Sequence, residues 1–236
     1  MVVTWPAWRE DLQRPSLGEE SVANRALADQ SMTRRTHMVA VTGGSGSGKT
    51  WLAERLAAAF APPAARVSLD DFYRDLAHLP LPARAAVNFD DPAAIDWHAV
   101  RETMEGLARA EPVRLPQYDF TAHTRKAEPR ELAAEPIVIW DGLWLLHPDW
   151  LRARFAFSVF VDCPAAERLR RRTERDVGER GRTVESVRLQ FERDVEPMHA
   201  RFVAPQRDLA TRCVTSPVEE SALATLLAEL QTILSP

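Results

Sequence analysis

Val39-Ala40-Val41-Thr42-Gly43-Gly44-Ser45-Gly46-Ser47-Gly48-Lys49-Thr50 passes from β-branched strand residues into a glycine cluster, and a helix-forming stretch, 51–60, follows it up to Pro62-Pro63. That is strand, loop, helix. Residues 43–50 fit G-x-x-x-x-G-K-[ST] in the context this motif requires. Gly43, Gly44, Gly46 and Gly48 free the backbone around Ser45 and Ser47 to turn its N–H groups inward, and the helix N-terminus adds partial positive charge, so the loop is a nest for phosphate oxygens. Lys49 is placed to set an ammonium against β- and γ-phosphates, and the Thr50 hydroxyl to coordinate Mg²⁺. The chain otherwise avoids lysine: of 30 basic residues only Lys49 and Lys126 are lysine.

Outward from this loop, strand candidates recur at 66–69, 137–140 and 157–161, separated by helical patterns at 92–110, 164–178, 183–203 and 218–234. Alternation of this kind requires right-handed crossovers and a parallel sheet covered by helices on both faces, an α/β fold. With 236 residues, 45% hydrophobic, one domain is expected, and 27% charged residues with ordinary glycine and proline usage exclude a disordered or collagenous chain. Apolar runs stay far below the ~20 residues that span a bilayer. Arg9, Glu10 and Asp11 do not suit a secretory leader, so a cytoplasmic protein without a membrane partner is expected. Cys163 and Cys213 lack metal or disulfide spacing and are read as reduced. A net charge of −4 argues against a general polyanion binder, and no nucleic-acid partner is expected.

Ligands of parallel α/β sheets bind outside the carboxyl ends of the strands, where Asp70 and Asp71 follow one strand and Asp141 follows another. One carboxylate can orient Mg²⁺ while another accepts a proton from an attacking hydroxyl, as phosphoryl transfer requires. Asp70 and Asp141 are the candidates; Asp71 is read as a turn residue and Asp162 as a helix cap. Residues 168–182 hold seven arginines against three acids, with Arg168, Arg172 and Arg175 at helical spacing. Gly178 and Gly181 are read as breaking this helix into a hinged lid carrying Arg180 and Arg182, able to close over phosphate and exclude water. A solvated helix laced by Glu174 and Glu179, or an RNA patch, are the competing readings; the run lacks the aromatics an RNA patch interleaves.

As an ordered series from about Val39 to about Val214, these segments resemble the uridine/cytidine kinase family of P-loop nucleoside kinases. Asp70-Asp71-Phe72-Tyr73 resembles the family's acid-x-Phe-Tyr segment, whose first acid is the catalytic base. Asn88-Phe89-Asp90-Asp91-Pro92 is similar to its Asn-Phe-Asp-x-Pro, where the Asp holds the ribose hydroxyls and the Phe borders the nucleoside. Residues 116–125 resemble the pyrimidine-reading segment, which implies base contacts for Tyr118 and His123 and packing by Phe120. Glu179-Arg180-Gly181-Arg182 resembles the lid, and Arg172, Arg175 and Gln190 fall on nucleoside- or phosphate-contacting positions. The residue types suit a pyrimidine nucleoside, since Tyr73, Phe89, Tyr118 and Phe120 offer faces to a flat base, and a carboxylate can accept from adjacent sugar hydroxyls. Asp141 departs from the pattern, standing where the family commonly has Glu before Gly.

The resemblance implies a three-layer P-loop NTPase fold with an arginine-rich lid at about 172–184 and a nucleoside-binding insertion at about 88–126, within a kinase domain spanning 38–236. Residues 1–37, with a short helix expected after Ser16, are read as an extension. The expected activity is ATP- and Mg²⁺-dependent phosphorylation of the 5′-hydroxyl of uridine and cytidine in pyrimidine salvage, by a homo-oligomer. Asp70 is the expected base, Lys49 and the loop bind ATP, Thr50, Asp141 and Asp70 face the metal, and Arg175, Arg180 and Arg182 stabilise the transferring group. Two alternatives stay open: a P-loop kinase of another small alcohol, of the pantothenate, phosphoribulose or nicotinamide riboside type, and a non-catalytic nucleotide sensor.

Overall fold

Alternating side chains on the central strands divide the interior into two apolar layers. In the computed structural model, which describes residues 36–234, strands β1 (His37–Gly43), β2 (Ala65–Ser68), β7 (Ile137–Gly142), β8 (Phe157–Asp162) and β9 (Arg212–Thr215) form one parallel sheet in the order β2-β7-β1-β8-β9. Val39, Val41, Ile139 and Val159 face helices α1 (Lys49–Ala58) and α5 (Glu220–Leu234), burying Leu52, Leu56, Leu223, Leu226 and Leu230. Met38, Ala40, Val138, Trp140 and Phe160 face the other way, onto α2 (Trp97–Ala108) through Val100, Met104 and Leu107. This is the three-layer α/β architecture the loop motif implies. Burial of each such large side chain is worth about 1.5–3 kcal/mol. No helix among the described residues is long and apolar enough to cross a membrane.

Most of the expected extension, including the helix after Ser16, lies outside the described residues; β1 already begins at His37. Two short antiparallel pairs, β3 (Val113–Leu115) with β6 (Arg130–Leu132) and β4 (Tyr118–Asp119) with β5 (Thr124–Arg125), are not visible in the sequence pattern. Contacts with the rest of the domain hold the second pair in place: Asp71 Oδ1 accepts from the Tyr118 N–H at 3.3 Å, and Arg125 donates to the Tyr73 carbonyl at 3.0 Å and to Asp96 at 3.1 Å. Asp71 therefore makes a long-range bond in addition to its place in the turn.

Three expectations need correction. Helix α3 (Ala165–Arg180) runs unbroken through Gly178 and ends at Gly181, which takes the left-handed conformation at φ 64°. A glycine in a helix costs only about 1 kcal/mol relative to alanine, and ion pairs such as Arg170–Glu174 and Arg172–Asp176 at i,i+4 oppose that cost. The single helix expected over 183–203 is instead α4 (Val184–Gln190) followed by π-helical turns at Phe191–Val195 and His199–Val203. Asp162 caps nothing: the residue before α3 is Pro164, without a side-chain cap, and Asp162 lies 3.4 Å from Arg207.

The carboxyl end of β7 meets the turn after β2 at Gly142, where a Cβ would lie 2.4 Å from Leu69 Cβ. Gly142→Ala should therefore lower the unfolding free energy by about 1–3 kcal/mol in denaturant titration, and an unchanged midpoint would show that Leu69 can move aside at no cost.

Candidate active site

The loop joining β1 to α1 is held from behind by α3. A Cβ on Gly46, at φ +79°, would lie 2.4 Å from the Arg168 carbonyl oxygen, and one on Gly44 would lie 2.7 Å from Arg168 Cδ. Only glycine permits that approach. Arg168 is itself buried, donating to the Cys163 carbonyl at 3.1 Å and pairing with Glu196 at 2.7 Å. It belongs to this support and not to the face that carries Arg172 and Arg175. The loop's other contacts come from Arg171, which reaches the Ser47 carbonyl at 3.3 Å, and Arg172, which donates to Ser45 Oγ at 2.9 Å.

Lys49 opens α1 with its ammonium buried. Burial lowers its pKa below the ordinary lysine range, with Asp70 and Asp141 pulling the other way. Asp141, the penultimate residue of β7, is pushed above the usual carboxylate range by burial and then by Asp70. Its Oδ2 accepts from the Thr50 hydroxyl at 2.9 Å, and its Oδ1 lies 3.5 Å from Arg66. Asp141 Oδ1 and Asp70 Oδ1 are buried without a hydrogen-bond partner among the described residues. These carboxylate oxygens, with the Thr50 hydroxyl against Asp141, make an oxygen-only donor set that fits Mg²⁺, a hard cation. No cage of three or more His, Cys, Asp or Glu occurs among the described residues.

A cavity of about 450 Å³ opens between this loop, the turn after β2, the β4–β5 hairpin and the carboxyl end of α3, a volume in the range of small-molecule sites. Lys49, Asp70 and Ser45 line one end. Tyr73, Phe89, Tyr118 and Phe120 line the other, with Tyr73–Tyr118 ring centroids 5.2 Å apart and Tyr118–Phe120 5.4 Å apart. Tyr73 Oη donates to the Phe89 carbonyl at 2.9 Å, whereas the buried Tyr118 Oη has no partner among the described residues. Burial raises the Tyr118 pKa to about 12, so the hydroxyl stays protonated and able to donate. His123 stacks on Phe89 at 5.0 Å and sits at φ +51°, a left-handed conformation rare outside glycine, in a turn fixed by Asp119 Oδ1 accepting from Thr121 and Ala122. Burial, Arg180 and Arg182 lower the His123 pKa and keep the ring neutral.

Arg172, Arg175, Arg180 and Arg182 complete the wall, with Gln190 accepting from Arg172 at 3.1 Å and from Arg182. Asp90, buried, lies 3.4 Å from Arg172. Arg180 also lies over Phe120 at 4.7 Å. Thus the structure brings Asp70, Lys49, Arg172, Arg175, Arg180, Arg182, Tyr73, Phe89, Asp90, Tyr118, Phe120, His123 and Gln190 onto one cavity. Thr50 and Asp141 adjoin it without forming its wall, and of the loop only Ser45 and Lys49 do. Two residues escape a reading of the sequence. Arg66 stands beside Asp141 from the neighbouring strand, a register that no local pattern reveals. Asp176, fully buried among the lid arginines, has one local sign: it stands four residues after Arg172.

Residues 38–220 match the family described as Phosphoribulokinase / Uridine kinase family. Among similar proteins is a uridine kinase of Deinococcus deserti, 38% identical over 200 residues that cover 84% of this chain and 97% of that one. A uridine kinase of Yersinia pestis is 35% identical over 187 residues, covering 76% and 88%. Among solved structures, D-glycerate 3-kinase from Cryptococcus neoformans superposes with a TM-score of 0.56 at 18% identity, covering 87% of this chain and 98% of that one, a likeness of fold. A glycine loop pressed against α3, a buried lysine drawn by the charges of Asp70 and Asp141, and a match over most of the chain have one reading: the protein belongs to the phosphoribulokinase/uridine kinase family.

Proposed function

We propose that this protein transfers the γ-phosphoryl group of ATP to the 5′-hydroxyl of uridine, and of cytidine, releasing ADP and the nucleoside monophosphate. The observation that carries the reading is a single cavity with a phosphate-binding end, Lys49 and the arginines, and an aromatic end, Tyr73, Phe89, Tyr118 and Phe120. A flat heterocycle with a sugar fits that division, whereas an aliphatic acid alcohol such as pantothenate has no use for aromatic faces. The likeness to uridine kinases supports the same acceptor.

In this reading the loop N–H groups and Lys49 hold the β- and γ-phosphates. Asp70 accepts the proton of the 5′-hydroxyl as its oxygen forms a bond to the γ-phosphorus and the bond from that phosphorus to the β–γ bridging oxygen breaks. Arg175, Arg180 and Arg182 neutralise charge on the moving group. Asp90, oriented by Arg172, accepts from the ribose hydroxyls; Tyr118 Oη and His123 address the base edge while Phe89 and Phe120 border its faces. Thr50, Asp141 and Asp70 would hold Mg²⁺, which supplies charge neutralisation on the phosphate oxygens when bound.

Purified protein with Mg-ATP and uridine should form UMP, detected by mass, and an inert uridine alongside turnover of pantothenate or a ribosylpyridine would replace the acceptor. Asp70→Asn should lower kcat by about 10²–10⁴-fold, the usual worth of a positioned base, with ATP affinity retained; undiminished turnover would move the base elsewhere. His123→Ala should raise KM for uridine about tenfold, the loss of one stacked, hydrogen-bonding ring, and leave KM for ATP in place. Equal losses for both substrates would put the base pocket in another part of the molecule.

A further inference from the structure

Four guanidiniums of the cavity wall converge on one carboxylate that is not part of that wall. Asp176, fully buried in α3, lies 2.8 Å from Arg175, 3.4 Å from Arg180, 3.5 Å from Arg172 and 3.6 Å from Arg182. The Arg175 Nε–H also donates to Asp176 Oδ1 at 2.9 Å. Its backbone takes part as well: the Asp176 carbonyl accepts from the N–H groups of Gly181 and Arg182, closing the helix end and returning the chain toward the cavity. The four arginines line the cavity and Asp176 does not, so an anion in the cavity meets the guanidiniums without meeting Asp176. Only Arg175 hydrogen-bonds the carboxylate; Asp176 Oδ2 has no hydrogen-bond partner among the described residues, so Arg172, Arg180 and Arg182 are held by its charge rather than by its geometry.

Clustering four cations in a partly dry cavity is unfavourable unless an anion lies among them. Glu174 and Glu179, the acids that a solvated lid helix would use, do not fill this place: Glu174 pairs with the exposed Arg170, and Glu179 lies on the exposed surface. Asp90 pairs directly with Arg172 and acts on Arg182 from further off, as Asp70 does on Arg180, so of the buried carboxylates only Asp176 lies within 4 Å of all four among the described residues. We propose that Asp176 is a positioning residue, a buried counter-ion that holds Arg172, Arg175, Arg180 and Arg182 aimed into the cavity before a polyanion arrives. This rests on the reading that the arginine end of the cavity receives the transferring phosphoryl group. The cage is then set in advance, and binding energy is not spent on gathering the arginines at the moment of reaction.

A brace of shape and a brace of charge give different results in one experiment. Thermal unfolding of wild type, Asp176→Asn and the double variant Asp176→Asn with Arg182→Gln is followed with and without inorganic pyrophosphate, and Mg-ATP/uridine kinetics are measured on each. Asp176→Asn keeps the shape and removes the charge, so its Tm should fall by roughly 10 °C. Pyrophosphate should stabilise it at least about twice as much as wild type, because the added anion supplies the missing charge. Its kcat should fall by about tenfold or more with KM for uridine little changed. Removing one arginine in the double variant should recover at least half of the lost Tm and none of the lost kcat.

A pyrophosphate shift no larger than wild type's, wild-type kcat in Asp176→Asn, or failure of both variants to fold would each overturn the proposal. The last would make the carboxylate a requirement of folding alone. If wild type forms no nucleoside monophosphate, the uridine kinase reading falls, while the pyrophosphate shifts still decide the role of Asp176.

Discussion

Five cations, Lys49, Arg172, Arg175, Arg180 and Arg182, face one cavity, and the constraint that their charge be met by carboxylates governs the arrangement around it. Asp70 and Asp141 attract Lys49, Asp90 pairs with Arg172, and Asp176 stands behind all four arginines. The acids come from four separated points of the chain, so the balance exists only in the folded sheet. Mutual repulsion in a partly desolvated space would otherwise drive the cations to the surface, where they would lose their common aim. The lowered pKa values of Arg180 and Arg182, caused first by burial, mark the same tension.

The second constraint is steric. The glycine loop can lie against α3 because Gly44 and Gly46 leave room for Arg168, whose backbone and side chain occupy the space a Cβ would take. The helix that carries the arginines is thereby docked on the glycine loop that carries Lys49. The bond from Arg172 to Ser45 Oγ repeats the coupling one turn further along the helix. An error in the position of α3 would misplace the arginines and the glycine loop together.

What is legible in the sequence is local and chemically distinctive. The loop motif needs only eight adjacent residues, and strand-end carboxylates follow from the rule that parallel sheets bind ligands at their carboxyl edge, so Lys49, Asp70 and Asp141 can be picked out. What is illegible depends on partners far along the chain. Strands β4 and β5 are two residues each and carry no periodicity; they are fixed by Asp71 and Arg125. β9 reads Arg-Cys-Val-Thr, mostly exposed, without the alternation of a half-buried strand. Gly178 misleads because its intrinsic cost is small beside the ion pairs along α3, and Asp176 stays hidden because its surroundings hold arginines from beyond the helix end as well as within it.

The aromatic and cationic ends of the cavity are joined by adjacent residues. Phe89 stacks with His123 while its neighbour Asp90 pairs with Arg172, and Arg172 donates to Ser45 in the loop, so three contacts lead from the aromatic end to the glycine loop. A second link runs through Phe120 to Arg180, 4.7 Å apart, from the β4–β5 hairpin to the last residue of α3. Both links pass through arginines that Asp176 contacts, and the helix end carrying Arg180 and Arg182 is closed by its carbonyl. Orientation at the reacting centre is worth several kcal/mol only when the groups hold their places without the substrate's help. A cavity wired in this way meets that condition at both ends through the same few side chains, which is why a single buried carboxylate behind the wall has leverage over the whole site.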